Sequence, residues 1–315
     1  MSEPSVVRSV RSLSRMLDDE RARGRSIGLV PTMGALHAGH ASLVARAAGE
    51  CDTVLVTVFV NPLQFDDPSD LAAYHRDLQA DLELAAAAGA RVVFAPSVEE
   101  MYPGSAQPTA TTMHVAGVSE CLEGASRPGH FDGVATVVAK LFAMAGRCRA
   151  YFGEKDFQQL VVVRQLAGDL CLPVEVVGCP IVRDLDGLAL SSRNARLGSE
   201  ERRAALALHR ALDAGIALLE SGERRPGALR AAMVQVIEAE PLVQLDYAEV
   251  VDARRLQVPA TASGELRFLV AAVVGGVRLI DNCGATVPAP ATPGAERRRA
   301  RPELVLADTA KAKEG

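Results

Sequence analysis

Short β-rich segments alternate with helical segments from Ile27 onwards, and this alternation constrains the fold more than any other feature of the chain. The segments run in the order IGLVP, HASLVARAAGE, TVLVTVFV, SDLAAYHRDLQADLELAAAAG and RVVFAP. Strands that alternate with helices of this length form βαβ units and therefore a parallel sheet. The segment TVLVTVFV is apolar almost throughout, which is typical of a central strand covered on both faces.

The alternation continues to about Val182 and then changes. The segments VATVVAKLFAMAG, AYFGEKDFQQLVVVRQLAGDL and PVEVVGCPIV extend the parallel pattern, whereas the later helical segments precede the strand-like LDYAEVVDA and LRFLVAAVVGGVRLIDN. Helices followed by strands indicate a smaller α+β domain. We therefore predict an α/β domain over residues 1–182 and an α+β domain over residues 183–284. The Pro, Ala and charge content of residues 285–315 predicts a disordered tail.

The composition suits a soluble protein of one or two domains and excludes several classes of function. Of the 315 residues 49% are hydrophobic and 23% are charged, and the net charge of -5 leaves no electrostatic footprint for duplex nucleic acid or anionic lipid. The N-terminal MSEPSVVRSVRSLSRMLDDE has no continuous apolar core. The most apolar later run, FLVAAVVGGV, is shorter than the roughly 20 residues that cross a bilayer and is better explained as a buried strand. We expect no nucleic-acid partner, no membrane partner and a cytoplasmic location.

Six cysteines are scattered at positions 51, 121, 148, 171, 179 and 283, without a CxxC pair or regular spacing. This distribution argues against both a zinc ribbon and a disulfide framework. We therefore predict reduced, buried thiols.

Two histidines lie where the first strand of the alternation gives way to a helix, in PTMGALHAGH. His37 and His40 then lie at the carboxyl edge of the parallel sheet, where open α/β folds bind ligands. Gly34 and Gly39 allow close approach of the backbone to a ligand, and free N–H groups at the helix start favour a phosphate. The alternative is that one histidine caps the helix and the other is a satisfied polar group. A zinc site needs HExxH spacing or a clustered third ligand, and neither is visible nearby.

Further polar groups follow other predicted strands. Asn61 and Gln64 come after TVLVTVFV, where neutral amides could hydrogen-bond a small acid, although turn chemistry is an alternative for Asn61. Lys155 and Asp156 follow AYF, where they could face a phosphate, but such pairs are usually solvated surface charges. The segment SSRN at 191–194 offers hydroxyls, a guanidinium and an amide to phosphate oxygens, or else the N-cap region of a helix.

These segments together resemble one family. PTMGALHAGH resembles the HxGH signature of the nucleotidyltransferase superfamily. FVNPLQF, RPGHFDGVATVV, YFGEKDFQQL and DGLALSSRN occur in the order and approximate spacing of the pantothenate synthetase (pantoate–β-alanine ligase) family. The resemblance covers about residues 26–282 and implies a Rossmann-like parallel-sheet domain, a smaller α+β lid domain, ATP as a substrate, Mg²⁺ and a homodimer.

The resemblance also implies roles for individual residues. Four residues that would face phosphoryl oxygens are the catalytic candidates: His37, His40, Lys155 and Arg193. The ATP-binding candidates are Met33, Gly34, His37, Gly39, His40, Gly153, Lys155, Asp156, Val182, Leu190, Ser191, Ser192 and Arg193. Leu190 and Phe157 stand where Met and Tyr are common in the family, and both substitutions keep apolar bulk.

Pantoate and metal ligands are implied in the same way. Gln64 would bind pantoate with Gln159 as its partner, and the amide of Asn61 is a further candidate for the same substrate. Asp81 resembles the magnesium-linked aspartate of the family, but a surface carboxylate on a helix would give the same pattern. Ala80 stands where some relatives carry a second acid, so any metal would depend on Asp81, water and phosphate.

The reaction that the resemblance implies has two steps. The pantoate carboxylate attacks the α-phosphorus of ATP to give pantoyl adenylate and pyrophosphate, and β-alanine then displaces AMP to give pantothenate. Two alternatives remain open: nucleotidyl transfer onto a phosphorylated acceptor, and a non-catalytic module that binds nucleotide or senses a metal. A phosphorylated acceptor would favour Arg or Lys over the paired glutamines, and a binding module would bind ATP without turnover.

Overall fold

The structure is a computed structural model, and it describes residues 3–65, 71–72, 74–104 and 109–288. Two separate sheets organise these residues. The strands of the first sheet are β1 (Ser5–Val7), β2 (Ile27–Thr32), β3 (Thr53–Val58), β4 (Val92–Phe94), β5 (Cys148–Gly153) and β6 (Val174–Cys179). The strands of the second sheet are β7 (Val243–Asp252), β8 (Gly264–Val274) and β9 (Val277–Val287).

Helices cover the first sheet and pack on the second. The α-helices of the described residues are α1 (Val10–Ala22), α2 (Ala38–Glu50), α3 (Leu78–Ala88), α4 (Val98–Met101), α5 (Glu123–Ser126), α6 (His130–Ala145), α7 (Phe157–Asp169), α8 (Ser199–Ala205), α9 (Ala207–Glu220) and α10 (Pro226–Glu238). Short 3-10 turns, here named by one residue each, are the Gln64 turn (Pro62–Gln64), the Lys155 turn (Glu154–Asp156) and the Ser192 turn (Ser192–Arg196).

The first sheet is parallel throughout and has the strand order β1-β4-β3-β2-β5-β6. The chain builds outward from β2 through β3 to β4 and then crosses back to add β5 on the other side of β2. The strand order therefore reverses between β2 and β5, which is where open α/β sheets leave a crevice for ligands. The predicted α/β fold class with a second, smaller α+β region is confirmed.

The second sheet is an antiparallel meander on which α9 and α10 pack. The run predicted as one buried strand, FLVAAVVGGV, is instead the end of β8 followed by a tight turn at Gly275 and Gly276 that leads into β9. Both glycines have positive φ, at 56° and 76°, which a two-residue hairpin turn requires.

The two halves of the chain share core contacts. Leu256 and Leu269 of the second half are buried in the same apolar cluster as the helices of the first half. We refer to residues 3–182 and 183–288 as the parallel-sheet lobe and the antiparallel-sheet lobe, and the predicted domain boundary between them stays a proposal. Strand β9 extends through Val287, so the first residues of the predicted tail belong to the sheet, while residues 289–315 lie outside the described residues.

Other predictions differ in detail from the structure. Strand β1 was not predicted, because a three-residue strand has no pattern of its own and forms only by pairing with β4. Helix α1 was also not predicted, although its buried Leu13 and Leu17 recur at helical spacing. Within SDLAAYHRDLQADLELAAAAG a helix forms from Leu78, where Asp77 accepts a hydrogen bond from the Ala80 N–H, while residues 69–70 and 73 lie outside the described part.

All six cysteines are free in the structure, and only some of them are buried as expected. Cys51, Cys148 and Cys179 are buried, whereas Cys171 at the end of α7 is exposed. Across the part of the chain that the structure describes, every helix is too short or too polar to traverse a lipid bilayer.

Candidate active site

A cavity of ≈ 500 Å³ opens at the carboxyl ends of β2, β5 and β6. It is lined by the loop after β2, the Gln64 turn, the Lys155 turn and the Ser192 turn. All the predicted site residues line it except three, Gly34, Asn61 and Asp81. The structure therefore gathers segments that lie far apart in the sequence into one site.

His37 and His40 have defined tautomers because backbone N–H groups donate to them. His37 is the N-cap of α2, and its Nδ1 accepts a hydrogen bond from the Gly39 N–H at 3.1 Å. The Nδ1 of His40 accepts from the His37 N–H at 3.3 Å. A neutral imidazole that accepts at Nδ1 carries its proton on Nε2, so each ring keeps one N–H donor for a ligand. From the sequence, helix capping and ligand binding were alternatives for these histidines. In the structure both histidines accept backbone hydrogen bonds at the start of α2 and also line the cavity.

Burial keeps both rings neutral at pH 7. Burial lowers the pKa of His40 to about 3, with a further contribution from the neighbouring His37, whose ring centroid lies 4.1 Å away. Burial also lowers the pKa of His37, and the charge of Lys155 acts in the same direction. The two histidines therefore offer neutral N–H donors rather than positive charges to an anion.

Asp81 supports the histidine loop from behind and does not line the cavity. Its side chain is only 3% exposed, and its two oxygens accept hydrogen bonds from the backbone N–H groups of Ala35 (3.2 Å) and Leu36 (2.7 Å). Ala35 has φ at 50°, a left-handed conformation that these bonds stabilise. Asp81 as a metal ligand stays a prediction; in the structure its carboxylate faces the loop backbone.

Two glycines are required by close contacts in the histidine loop. A Cβ on Gly34 would lie 2.8 Å from an oxygen of Asp81, and its φ of 84° also favours glycine. A Cβ on Gly39 would lie 2.8 Å from the ring of His37. Gly34 thus permits the loop to pack on Asp81, and Gly39 permits the His37 ring to fold over the start of α2.

Lys155 and Asp156 project from the turn after β5 into the cavity. The Lys155 side chain is 19% exposed, and its Nζ lies 3.6 Å from a carboxylate oxygen of Asp156, which is about half exposed. Partial loss of hydration inside the cleft acts to raise the pKa of Asp156, but the positive charges of Lys155 and Arg193 outweigh this effect and lower that pKa below its ordinary value. Asp156 is therefore an ionised acceptor inside a positively charged site.

The orientation of the Gln64 amide follows from its neighbours. Asn61 Oδ1 accepts from the Tyr102 hydroxyl (2.8 Å) and from the Leu63 N–H (3.3 Å), which leaves Asn61 Nδ2 to donate to Gln64 Oε1 and to the Gly133 carbonyl, both at 3.0 Å. The Gln64 NH₂ group is then the donor end of the amide: it donates to the Met33 sulfur at 2.9 Å, and its second hydrogen is left for a ligand in the cavity that Gln64 lines.

Asn61 is therefore correctly placed beside Gln64 but is not at the cavity surface. It is 1% exposed, and its amide groups are used by protein partners. The predicted contact between Asn61 and a substrate stays a prediction; in the structure its side chain donates to Gln64 Oε1. Gln159 does line the cavity, and its amide makes no hydrogen bond to any residue that the structure describes.

Among the cavity residues that were not predicted, Arg127 and His130 lie in the segment RPGHFDGVATVV, which was recognised. His130 Nδ1 donates to the Gln64 backbone carbonyl at 2.8 Å, and Arg127 Nη2 donates to the same oxygen at 3.2 Å. Arg127 Nη1 lies 3.3 Å from His130 Nε2, so the two side chains hold each other as well. The sequence signal that could have identified these two residues is an Arg and a His close together where a loop leads into a helix.

The antiparallel-sheet lobe contributes the Ser192 turn. Ser191 caps this turn by accepting a hydrogen bond from the Arg193 N–H at 3.2 Å, and Asn194 donates to the Ala189 carbonyl at 3.0 Å. The sequence left a capping role and a ligand-binding role open for SSRN. Ser191, Ser192 and Arg193 line the cavity, so the capped turn also presents these groups to it.

A second, larger cavity of ≈ 670 Å³ lies between α7 and strands β8 and β9. None of the predicted site residues lines it, and two of its arginines are in ion pairs: Arg254 lies 3.3 Å from Glu265, and Arg267 lies 3.2 Å from Glu154. The smaller cavity has the convergent polar groups that small-molecule sites require.

Comparisons with known proteins show the family to which the chain belongs. The family model described as pantoate-beta-alanine ligase matches residues 5–284. A pantothenate synthetase of Cereibacter sphaeroides is 52% identical over 279 residues, which cover 89% of this chain and 99% of the relative. A pantothenate synthetase of Deinococcus radiodurans is 53% identical over 279 residues, covering 86% of this chain and 98% of the relative.

Solved structures give the same result. Pantothenate synthetase from Thermus thermophilus superposes with a TM-score of 0.82 at 45% identity, over 89% of this chain and 98% of that one. Pantoate-beta-alanine ligase from Francisella tularensis, solved in complex with beta-gamma ATP and beta-alanine, superposes with a TM-score of 0.71 at 32% identity, over 89% of this chain and 97% of that one. With its parallel sheet, its cavity at the strand ends and these matches over most of its length, the chain belongs to the pantoate-beta-alanine ligase family.

Proposed function

We propose that the protein joins pantoate to β-alanine at this cavity in two steps. First, a carboxylate oxygen of pantoate attacks the α-phosphorus of ATP, and pyrophosphate leaves to give pantoyl adenylate. The amine of β-alanine then attacks the acyl carbon, loses a proton, and AMP leaves as pantothenate forms. One observation supports the proposal: in a chain of this family, the amides of Gln64 and Gln159 line the same cavity as a cluster of cationic and N–H donors that suit phosphate oxygens.

The first step develops negative charge on phosphoryl oxygens, and preorganised donors stabilise such charge without a protein nucleophile. The Nε2–H groups of His37 and His40 supply two neutral donors at the start of α2, where the helix N-terminus adds its own partial positive charge. Lys155 and Arg193 supply fixed positive charges. No covalent enzyme intermediate is required.

Nucleotide binding is proposed for residues from both lobes. Asp156, an ionised acceptor, suits the ribose hydroxyls of ATP. Ser191 and Ser192 suit phosphate oxygens, while the backbone and apolar side chains of the remaining candidates suit the adenosine: Met33, Gly39, Gly153, Val182 and Leu190. Binding between the lobes would shield the adenylate from water, which matters because an acyl adenylate hydrolyses.

Pantoate is proposed to lie beside Gln64 and Gln159. The NH₂ of Gln64 faces the cavity as a donor, which suits the carboxylate or a hydroxyl of pantoate. Neutral amides bind a carboxylate without neutralising it, so its oxygen remains a nucleophile. Asn61 is proposed to hold the Gln64 amide in the donating orientation.

Mg²⁺ is proposed to enter as part of the MgATP substrate. The described residues contain no group of three His, Cys, Asp or Glu side chains that could hold a metal, and Asp81 faces backbone N–H groups. Mg²⁺ in nucleotide sites is commonly held by substrate phosphates and water with one or two carboxylates, and Asp156 is the carboxylate that lines this cavity.

We further propose a cytoplasmic homodimer with a lobe boundary near residue 182. The family resemblance supports the dimer, and the six free thiols suit a reducing compartment. Light scattering of the purified protein at micromolar concentration tests the dimer: twice the mass of the chain is expected, and the mass of a single chain would contradict it.

Mass spectrometry of the products formed from ATP, Mg²⁺, pantoate and β-alanine tests the function. Pantothenate and AMP in equal amounts are expected. A product that retains the nucleotide would instead indicate nucleotidyl transfer, and ATP binding without any turnover would indicate a non-catalytic module. Omission of pantoate is the control and should abolish pyrophosphate release.

A further inference from the structure

A side chain of the antiparallel-sheet lobe holds the backbone of the Lys155 turn. Asn282, in β9, is 2% exposed, and its Nδ2 donates to the carbonyls of Glu154 (3.0 Å) and Lys155 (2.8 Å). The two hydrogens of one amide group therefore bind two consecutive carbonyls of the other lobe. Lys155 is the residue of that turn whose ammonium group faces the cavity.

The orientation of the Asn282 amide is fixed by chemistry. Arg267 Nε donates to Asn282 Oδ1 at 2.6 Å, and a guanidinium has no acceptor, so this end of the amide must be the oxygen. Arg267 is itself held by the Glu154 carboxylate at 3.2 Å from Nη1 and lies 4.1 Å above the ring of Phe157. Asn282 and Arg267 thus form one buried unit against the segment that carries Lys155.

The Lys155 turn has no side-chain cap of its own. Gly153, which precedes it, has no side chain, and Asp156, which precedes α7, makes no capping hydrogen bond. Among the described residues, the side-chain hydrogen bonds that hold the backbone of this turn are those that Asn282 donates to the Glu154 and Lys155 carbonyls. Buried polar groups cost free energy when they lose a partner, so the turn is expected to shift if Asn282 stops donating.

We propose that Asn282 is a positioning residue that places the Lys155 ammonium group for adenylation. The inference rests on the proposed function, because it assumes that Lys155 contacts the phosphates. Asn282 lies in the lobe opposite to Lys155, so the position of the catalytic charge depends on β9. A displacement of about 1 Å in a catalytic group can cost about 100-fold in rate.

The test uses Asn282→Asp in the full chain, because aspartate has nearly the same volume and removes both donated hydrogen bonds. Pyrophosphate release should fall about 10-fold to 100-fold in kcat, while KM for pantoate stays within about twofold. Tyr247→Phe is the matched control, since it removes another hydrogen bond between the lobes, from the Tyr247 hydroxyl to Glu123 at 2.8 Å, without touching the Lys155 turn. The control should keep kcat within about twofold of the original protein.

A double-mutant cycle separates positioning from general support of the fold. In a Lys155→Ala background, Asn282→Asp should cost no more than about twofold further, because the group that it positions is absent. The inference is overturned if Asn282→Asp lowers kcat in the Lys155→Ala background by the same factor as in the original protein. It is also overturned if Tyr247→Phe lowers kcat as much as Asn282→Asp does. If Asn282→Asp does not fold, as judged by circular dichroism, Asn282→Ala is carried through the same cycle with the same criteria. Absence of pantoate-dependent pyrophosphate in the unsubstituted protein would overturn the proposed function and this inference together.

Discussion

Replacing Gln64 by Glu should damage the first step of the reaction far more than the second. The structure assigns the cavity-facing group of Gln64 as an NH₂ donor, because Asn61 donates to its oxygen. Gln64→Glu keeps the shape of the side chain, removes that donor and introduces a negative charge. Pantoate is an anion, whereas the acyl group of pantoyl adenylate is not, so only the first step suffers charge repulsion.

The magnitude follows from two contributions. Loss of the hydrogen bond from a buried polar site costs about 1–3 kcal/mol. Two like charges about 4 Å apart at an effective dielectric constant of about 20 add about 4 kcal/mol. The sum of about 5–7 kcal/mol predicts a fall of about 4 × 10³-fold to 10⁵-fold in kcat/KM for pantoate. With preformed pantoyl adenylate only the first contribution remains, which is about 5-fold to 150-fold.

Two assays on one protein check this prediction: pyrophosphate release from ATP and pantoate, and AMP release from pantoyl adenylate and β-alanine. Gln64→Ala is the control, because it removes the donor without adding charge and should lose only about 1–3 kcal/mol in the first assay. It should lose less in the second assay, because the tethered nucleotide supplies further contacts. Equal losses of Gln64→Glu in both assays, with an unchanged melting temperature, would refute the placement of Gln64 on the pantoate carboxylate.

Three further predictions concern catalysis, pH and the C-terminus. Lys155→Ala should lower the rate of pyrophosphate release about 100-fold to 1,000-fold while circular dichroism stays unchanged, and a folded variant with the original rate would contradict its role. Because burial lowers the pKa of His40 from 6.5 to about 3, the unfolded chain binds the proton between these values, and stability should fall as pH falls from 6.5. The loss of unfolding free energy is at most about 1.4 kcal/mol per pH unit. Chemical denaturation at pH 6.5 and pH 5 should show a smaller loss in His40→Gln than in the original protein, and equal losses in the two proteins would contradict this prediction. Truncation after Pro288 should leave melting temperature and activity nearly unchanged, because the removed segment is poor in large apolar residues, whereas truncation after Gly284 should cost about 1.5–3 kcal/mol by removing the buried Val287. Equal losses in the two truncated proteins would show that residues 289–315 stabilise the body.

Much of the fold could be predicted because its signals are local. A strand such as TVLVTVFV and the helices around it have patterns within a few residues, and the parallel sheet follows from their alternation. Most cavity residues were also predictable, since His37 and Lys155 come directly after strands whose carboxyl ends meet at one edge.

The contacts that could not be predicted are those that depend on where tertiary packing directs a side chain. Asp81 and Asn61 have residue types that suit a ligand, but tertiary packing turns Asp81 to the backbone of the histidine loop and Asn61 to Gln64. His130 hydrogen-bonds the backbone carbonyl of Gln64, which lies 66 residues away in the sequence. Asn282 hydrogen-bonds the backbone carbonyl of Lys155, which lies 127 residues away. Neither contact leaves a local pattern in the sequence.

Oxygen-isotope transfer tests formation of the acyl adenylate most directly. Pantoate labelled with ¹⁸O in both carboxylate oxygens is supplied with ATP, Mg²⁺ and β-alanine, and the products are analysed by mass spectrometry. Attack of the carboxylate on the α-phosphorus followed by aminolysis predicts one ¹⁸O atom in AMP, one in pantothenate and none in pyrophosphate. Label in inorganic phosphate together with ADP, or unlabelled AMP, would contradict the proposed mechanism.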